Sequence, residues 1–117
     1  MKYIVKDSPP SIVKEAAVTY GFSNSQMAEL LGVSDKTYYN MMKSKTLDTN
    51  QGDRFNFIND ILNEGEEAFG SRENFKDWLH STQPTLNGHT PIKMMATLTG
   101  AQEVLATLTR IKYGIFV

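Results

Sequence analysis

The chain has no cysteine, which rules out disulfides, thiolate metal sites and cysteine nucleophiles together. No apolar run approaches the roughly 18 residues of a membrane span. The opening Met1-Lys2-Tyr3-Ile4-Val5-Lys6-Asp7 is too short and too charged for a signal peptide. A cytoplasmic protein without membrane contact is therefore expected. Basic residues are also scarce. Twelve Lys and Arg stand against 13 Asp and Glu, a net charge of -1, although phosphate binding is driven by clustered cations. No glycine-rich phosphate loop and no Ser-His-Asp arrangement occurs. His80 and His89 stand apart across a loop, so no metal site, no cofactor and no catalysis are expected.

What is present belongs to an ordinary globular chain. With 117 residues, 40% of them hydrophobic, it can bury one real core. Its charge is unevenly spread. Residues 1–50 hold six basic and five acidic groups, residues 51–90 three and seven, and residues 91–117 three and one. The middle is acidic and both ends mildly basic.

The apolar spacing is helical almost throughout. Tyr3-Ile4-Val5 fits a short strand or an arm and is left open. Ser8-Pro9-Pro10 reads as a helix start, with Ile12, Ala16 and Tyr20 as a stripe, Val13 and Ala17 beside it, and Gly21 as the stop. Ser23-Asn24-Ser25-Gln26 fits a capping box opening a second helix to Leu31. Gly32-Val33-Ser34 is a tight turn whose Ser caps a third helix through Lys43. After the polar stretch from Lys45 to Gly52, Phe55, Ile58, Ile61, Leu62 and Phe69 mark a fourth helix with Asp60, Glu64, Glu66 and Glu67 outward. Ser71 caps a fifth, from Glu73 to about Ser81, whose buried face is Phe75, Trp78 and Leu79. Thr90-Pro91 opens a short helix through Met94 and Met95, and Thr99-Gly100-Ala101-Gln102 reads as the box that opens the last one.

Within this series, residues 26–42 have the pattern of a helix-turn-helix. Ala28 is the small residue where two helices cross, Gly32 supplies the turn, and Met27, Leu31, Val33, Tyr38 and Met41 supply the packing. The DNA-facing residues are then Ser34, Asp35, Lys36, Thr37, Asn40 and Lys43. An Asn can pair with the major-groove edge of adenine, and a Lys with guanine or phosphate. A helical hairpin with a merely solvated outer face has the same pattern and stays open at this point. So few cations bind DNA weakly alone, which favours a dimer spanning two half-sites.

The C-terminal half carries a second pattern: Phe75, Trp78-Leu79, Pro84, Leu86, Gly88, Thr90-Pro91-Ile92, Gly100, Val104, Leu108 and Arg110-Ile111-Lys112-Tyr113-Gly114-Ile115-Phe116. In this it resembles the toxin-binding domain of the Xre/MbcA/ParS antitoxins, and the helix-turn-helix sits where that family places its Xre-like part. The resemblance implies an all-α fold with an N-terminal helix-turn-helix bundle over 1–52, a connecting or dimerisation helix over 53–70 and a toxin-binding part over 71–117. It implies a homodimer that represses its own operon at operator DNA. It also implies that the chain neutralises a cognate toxin, usually a RES-domain protein that degrades NAD, by covering the entrance to its active site. Carried over by position, the toxin contacts are Arg110, Lys112, Tyr113, Gly114, Ile115, Phe116 and Val117. An apolar, aromatic terminus of this kind suits a plug in a partner's cleft. Two other readings fit the same residues: a stand-alone helix-turn-helix regulator with a C-terminal dimerisation domain, and an adaptor that no longer binds DNA.

Overall fold

The computed structural model describes residues 9–114, so Tyr3-Ile4-Val5, Ser8 and Ile115-Phe116-Val117 lie outside the described residues. Among those described the chain is all-α: α1 Ser11–Tyr20, α2 Asn24–Leu31, α3 Asp35–Lys43, α4 Thr49–Phe69, α5 Arg72–Leu79, α6 Pro91–Met94 and α7 Leu98–Lys112. A 3-10 turn, Pro84–Leu86, separates α5 from α6. There the backbone amide of Gln83 donates to the carbonyl of His89 at 3.0 Å. The helices form two compact units that divide between Phe57 and Ile58, inside α4.

In the first unit α2 packs on α3. Ser23 and Gln26 form the reciprocal box expected from sequence: the Ser23 hydroxyl accepts from the Gln26 amide at 3.0 Å, and the Gln26 side chain accepts from the Ser23 amide at 2.9 Å. α2 stops at Gly32, whose φ of +71° lies in the left-handed region that glycine adopts without strain. There the amides of Gly32 and Val33 turn back to the carbonyls of Glu29 and Ala28. The Arg54 side chain closes the same end by donating to the Leu30 carbonyl at 2.8 Å. The core of this unit is Val13, Ala17, Tyr20, Met27, Leu30, Tyr38, Met41 and Phe55. On α1 the buried stripe is rotated one position from the expected one, because Ile12 and Ala16 are only half-buried. The position before α1 is Pro10, which makes no side-chain cap.

In the second unit α6 packs on both α5 and α7, around Ile58, Ile61, Leu62, Phe75, Leu79, Met95, Val104 and Leu108. Each such side chain contributes about 1.5–3 kcal/mol when fully buried. Two helix starts differ from the sequence reading. α4 begins at Thr49, well before Phe55, because Asp48 and Gln51 form a second reciprocal cap: the Gln51 amide donates to Asp48 at 2.7 Å, and the Asp48 amide to the Gln51 side chain at 3.1 Å. α7 is capped by Thr97, not Thr99, through a bond from the Gly100 amide at 3.0 Å. Trp78, expected in the core, is half-buried; it stacks on Phe75 at 6.2 Å between ring centroids and lies 5.6 Å from Phe69.

Candidate functional site

Recognition helix α3 presents one inward and one outward face. Tyr38 and Met41 point into the first unit, each 4% exposed. All six sequence-predicted DNA contacts, Ser34, Asp35, Lys36, Thr37, Asn40 and Lys43, are exposed. They are not equally available. The Ser34 hydroxyl accepts from the Thr37 amide at 3.0 Å and donates to the Thr37 hydroxyl at 3.0 Å, so this pair is engaged in capping the helix. Asp35 accepts from the Ser25 hydroxyl at 3.1 Å, which ties the start of α3 to the start of α2. Lys36 and Asn40 have no side-chain partner among the described residues. That leaves a cation and an amide free for phosphate and base edges. Tyr39 was not foreseen on this face. It is 60% exposed, and the Lys43 ammonium lies 4.2 Å from the centre of its ring. Its position, three after Lys36 and four before Lys43, was the signal that put it there.

The second group lies at the end of α7. Lys112 is bound twice to α4: its ammonium donates to Glu67 at 2.8 Å and to Glu64 at 3.3 Å. The hydrogen bond and charge of Lys112 hold the Glu67 carboxyl below its usual range, and hydrogen bonds to Glu67 and Glu64 raise the Lys112 ammonium above its own. Tyr113 follows, 67% exposed, its ring centre 5.6 Å from the same ammonium. Arg110 is half-buried and Gly114 exposed. Four of the seven predicted toxin contacts are thus gathered at one helix end, and Lys112 is already engaged there within the chain. The remaining three, Ile115, Phe116 and Val117, lie outside the described residues.

Among the described residues, no group of three or more His, Asp or Glu is placed to hold a metal ion. No helix among the described residues is long and apolar enough to cross a membrane. The fold and its exposed recognition helix define a helix-turn-helix protein with a second helical unit ending in a solvent-facing aromatic. Two family models divide this chain in the same sense. Residues 5–58 match the antitoxin Xre-like helix-turn-helix domain, and residues 64–114 match the antitoxin Xre/MbcA/ParS C-terminal toxin-binding domain. Comparison with curated proteins finds no match. The chain belongs to the Xre/MbcA/ParS antitoxin family, and its role is that of an antitoxin in a toxin-antitoxin pair.

Proposed function

We propose that this antitoxin neutralises a RES-type, NAD-degrading toxin by laying its C-terminal end over the entrance to the toxin's active site, and that it represses its own operon through α3. The division of labour is a DNA-binding part over 1–52, a connecting and dimerising helix over 53–70 and a toxin-binding part over 71–117, working as a cytoplasmic homodimer. The observation that carries this reading is the end of α7. A 67% exposed tyrosine follows a lysine tied down by two carboxylates, inside the region that matches the toxin-binding domain. A large aromatic in that position buries little in the free chain and a great deal in a partner's cleft, as a binding hot spot does. Dimerisation supports the DNA side, since one copy offers few phosphate contacts and two copies on adjacent half-sites double them.

The test is co-expression of the chain with its neighbouring gene product, with and without residues 113–117, followed by affinity capture and a growth assay. The full chain is expected to capture the neighbour and restore growth, and the shortened chain to do neither while keeping its helical circular dichroism. A neighbour that is harmless, or that lacks NAD-degrading activity, overturns the assignment of the toxin. In that case a gel shift on the chain's own promoter decides whether a stand-alone regulator remains.

A further inference from the structure

We propose that the helix-turn-helix unit holds a second binding site, a cavity beside the recognition helix that takes a small ring-bearing anion of mononucleotide size. The cavity measures about 670 Å³, within the roughly 300–1,000 Å³ range of small-molecule sites. Its walls are the starts of α1 and α2 and one stripe of α3, Asp35, Tyr38, Tyr39 and Met42, spaced three and four apart. That stripe adjoins the outward Lys36, Asn40 and Lys43. The site is independent of the toxin and its identity.

Tyr38 carries the inference. It is 4% exposed and lines the cavity, and its hydroxyl has no hydrogen-bond partner among the described residues. No fully buried side-chain oxygen or nitrogen there lacks a partner. The Tyr38 hydroxyl therefore keeps access to open space, and its residue lines this cavity. With no protein partner among the described residues, that hydroxyl is left to bond to a water or a ligand in the open space. Burial raises its pKa further above neutrality, so it stands there as a donor.

The surrounding groups define the class of ligand. The box at Ser23 uses the amides of Ser23 and Gln26, which leaves the amides of Asn24 and Ser25, the first two of α2, without partners at a helix end that favours negative charge. Lys14 and Lys45 add two ammonium groups on the same wall. Tyr39 and Met42 supply flat and polarizable surface for a ring. Among the described residues Asp35 is the one carboxylate on the wall; already bonded to the Ser25 hydroxyl, it has capacity left to accept from a ligand hydroxyl. An anionic group, a ring and a hydroxyl donor together describe a nucleoside phosphate. Tyr39 belongs both to this wall and to the DNA-facing surface, so occupancy of the cavity acts directly on the recognition helix.

The experiment is a titration of the full chain, followed by amide NMR shifts, with adenosine 5′-monophosphate, adenosine and inorganic phosphate in turn. The nucleotide is expected to give saturable shifts at Ser25, Tyr38, Tyr39 and Lys45, and the two fragments to bind at least about tenfold more weakly. Tyr38→Phe, which keeps the ring in the core, is expected to weaken the nucleotide by about tenfold. Lys14→Gln, an exposed change, weakens it several-fold, with a native spectrum in both variants. The proposal is overturned by any of three results: no saturable shift with the three probes, phosphate alone binding as tightly as the nucleotide, or shifts at these residues that only promoter DNA produces.

Discussion

Gly65 is the residue on which the second unit closes. A β-carbon there would stand 2.1 Å from the Phe75 ring, and that ring is fully buried, with Phe69 and Trp78 within 5.9 and 6.2 Å of its centre. Alanine improves helix propensity by about 1 kcal/mol, yet overpacking a filled core costs about 1–3 kcal/mol. Gly65→Ala is therefore expected to lower stability by up to about 2 kcal/mol in urea denaturation. A gain would mean that Phe75 has room to move. Lys112 gives a second prediction, in pH. Glu67 has a lowered pKa, so its pairing stabilises the fold above the ordinary carboxylate range and is lost as pH falls through the lowered value. Lys112 has a raised pKa, so its share is complete below the ordinary lysine value and is lost as pH climbs past the raised one. Between about pH 6 and about pH 3 the urea midpoint should fall more in the natural chain than in Lys112→Met. Equal falls in the two would show that the pair contributes nothing.

At the scale of the helix, the caps decide where each element begins. Ser23, Ser34, Ser71 and Thr90 were legible in the sequence because each is a hydroxyl residue placed just before an apolar-periodic run, and each accepts the bond expected of it. The start of α4 was not legible. Its Asp48 and Gln51 stand in a polar stretch ending in Gly52, where no apolar period announces a helix. The start of α7 was misread for the opposite reason: Thr99 and Gln102 fit a box pattern better than Thr97 and Gly100, but the cap needs only a hydroxyl at Thr97 and a free amide at Gly100. The two readings separate in one measurement. Thr97→Val is expected to cost about 1 kcal/mol and Thr99→Val less than about 0.5 kcal/mol, both by chemical denaturation. At the candidate sites, the outward residues of α3 could be read from spacing alone. The engagement of Lys112 could not, because its partners lie 48 and 45 residues away in sequence. Nor could the cavity, whose walls come from three helices.

For the molecule as a whole, the proposed activities occupy different ends of the chain and should come apart under mutation. Replacing both Lys36 and Lys43 by Ala is expected to reduce the salt dependence of promoter binding by about 0.9 log units per phosphate contact removed, while capture of the toxin is unchanged. Tyr113→Ala is expected to weaken toxin capture by about 2 kcal/mol and leave the gel shift intact. Damage to both activities by either variant would show that they are not separable.

On α3, the side chains that hold the helix in place, Tyr38 and Met41, are buried, while Lys36, Asn40 and Lys43 stand outside with no share in the core. A lineage can exchange those three outward letters one at a time without endangering the scaffold, because surface changes of that kind shift stability by only about 0.5 kcal/mol. If α3 represses as proposed, duplicated copies in one cell can thus drift to different promoters and stop silencing each other's genes, with nothing else in the protein obliged to follow.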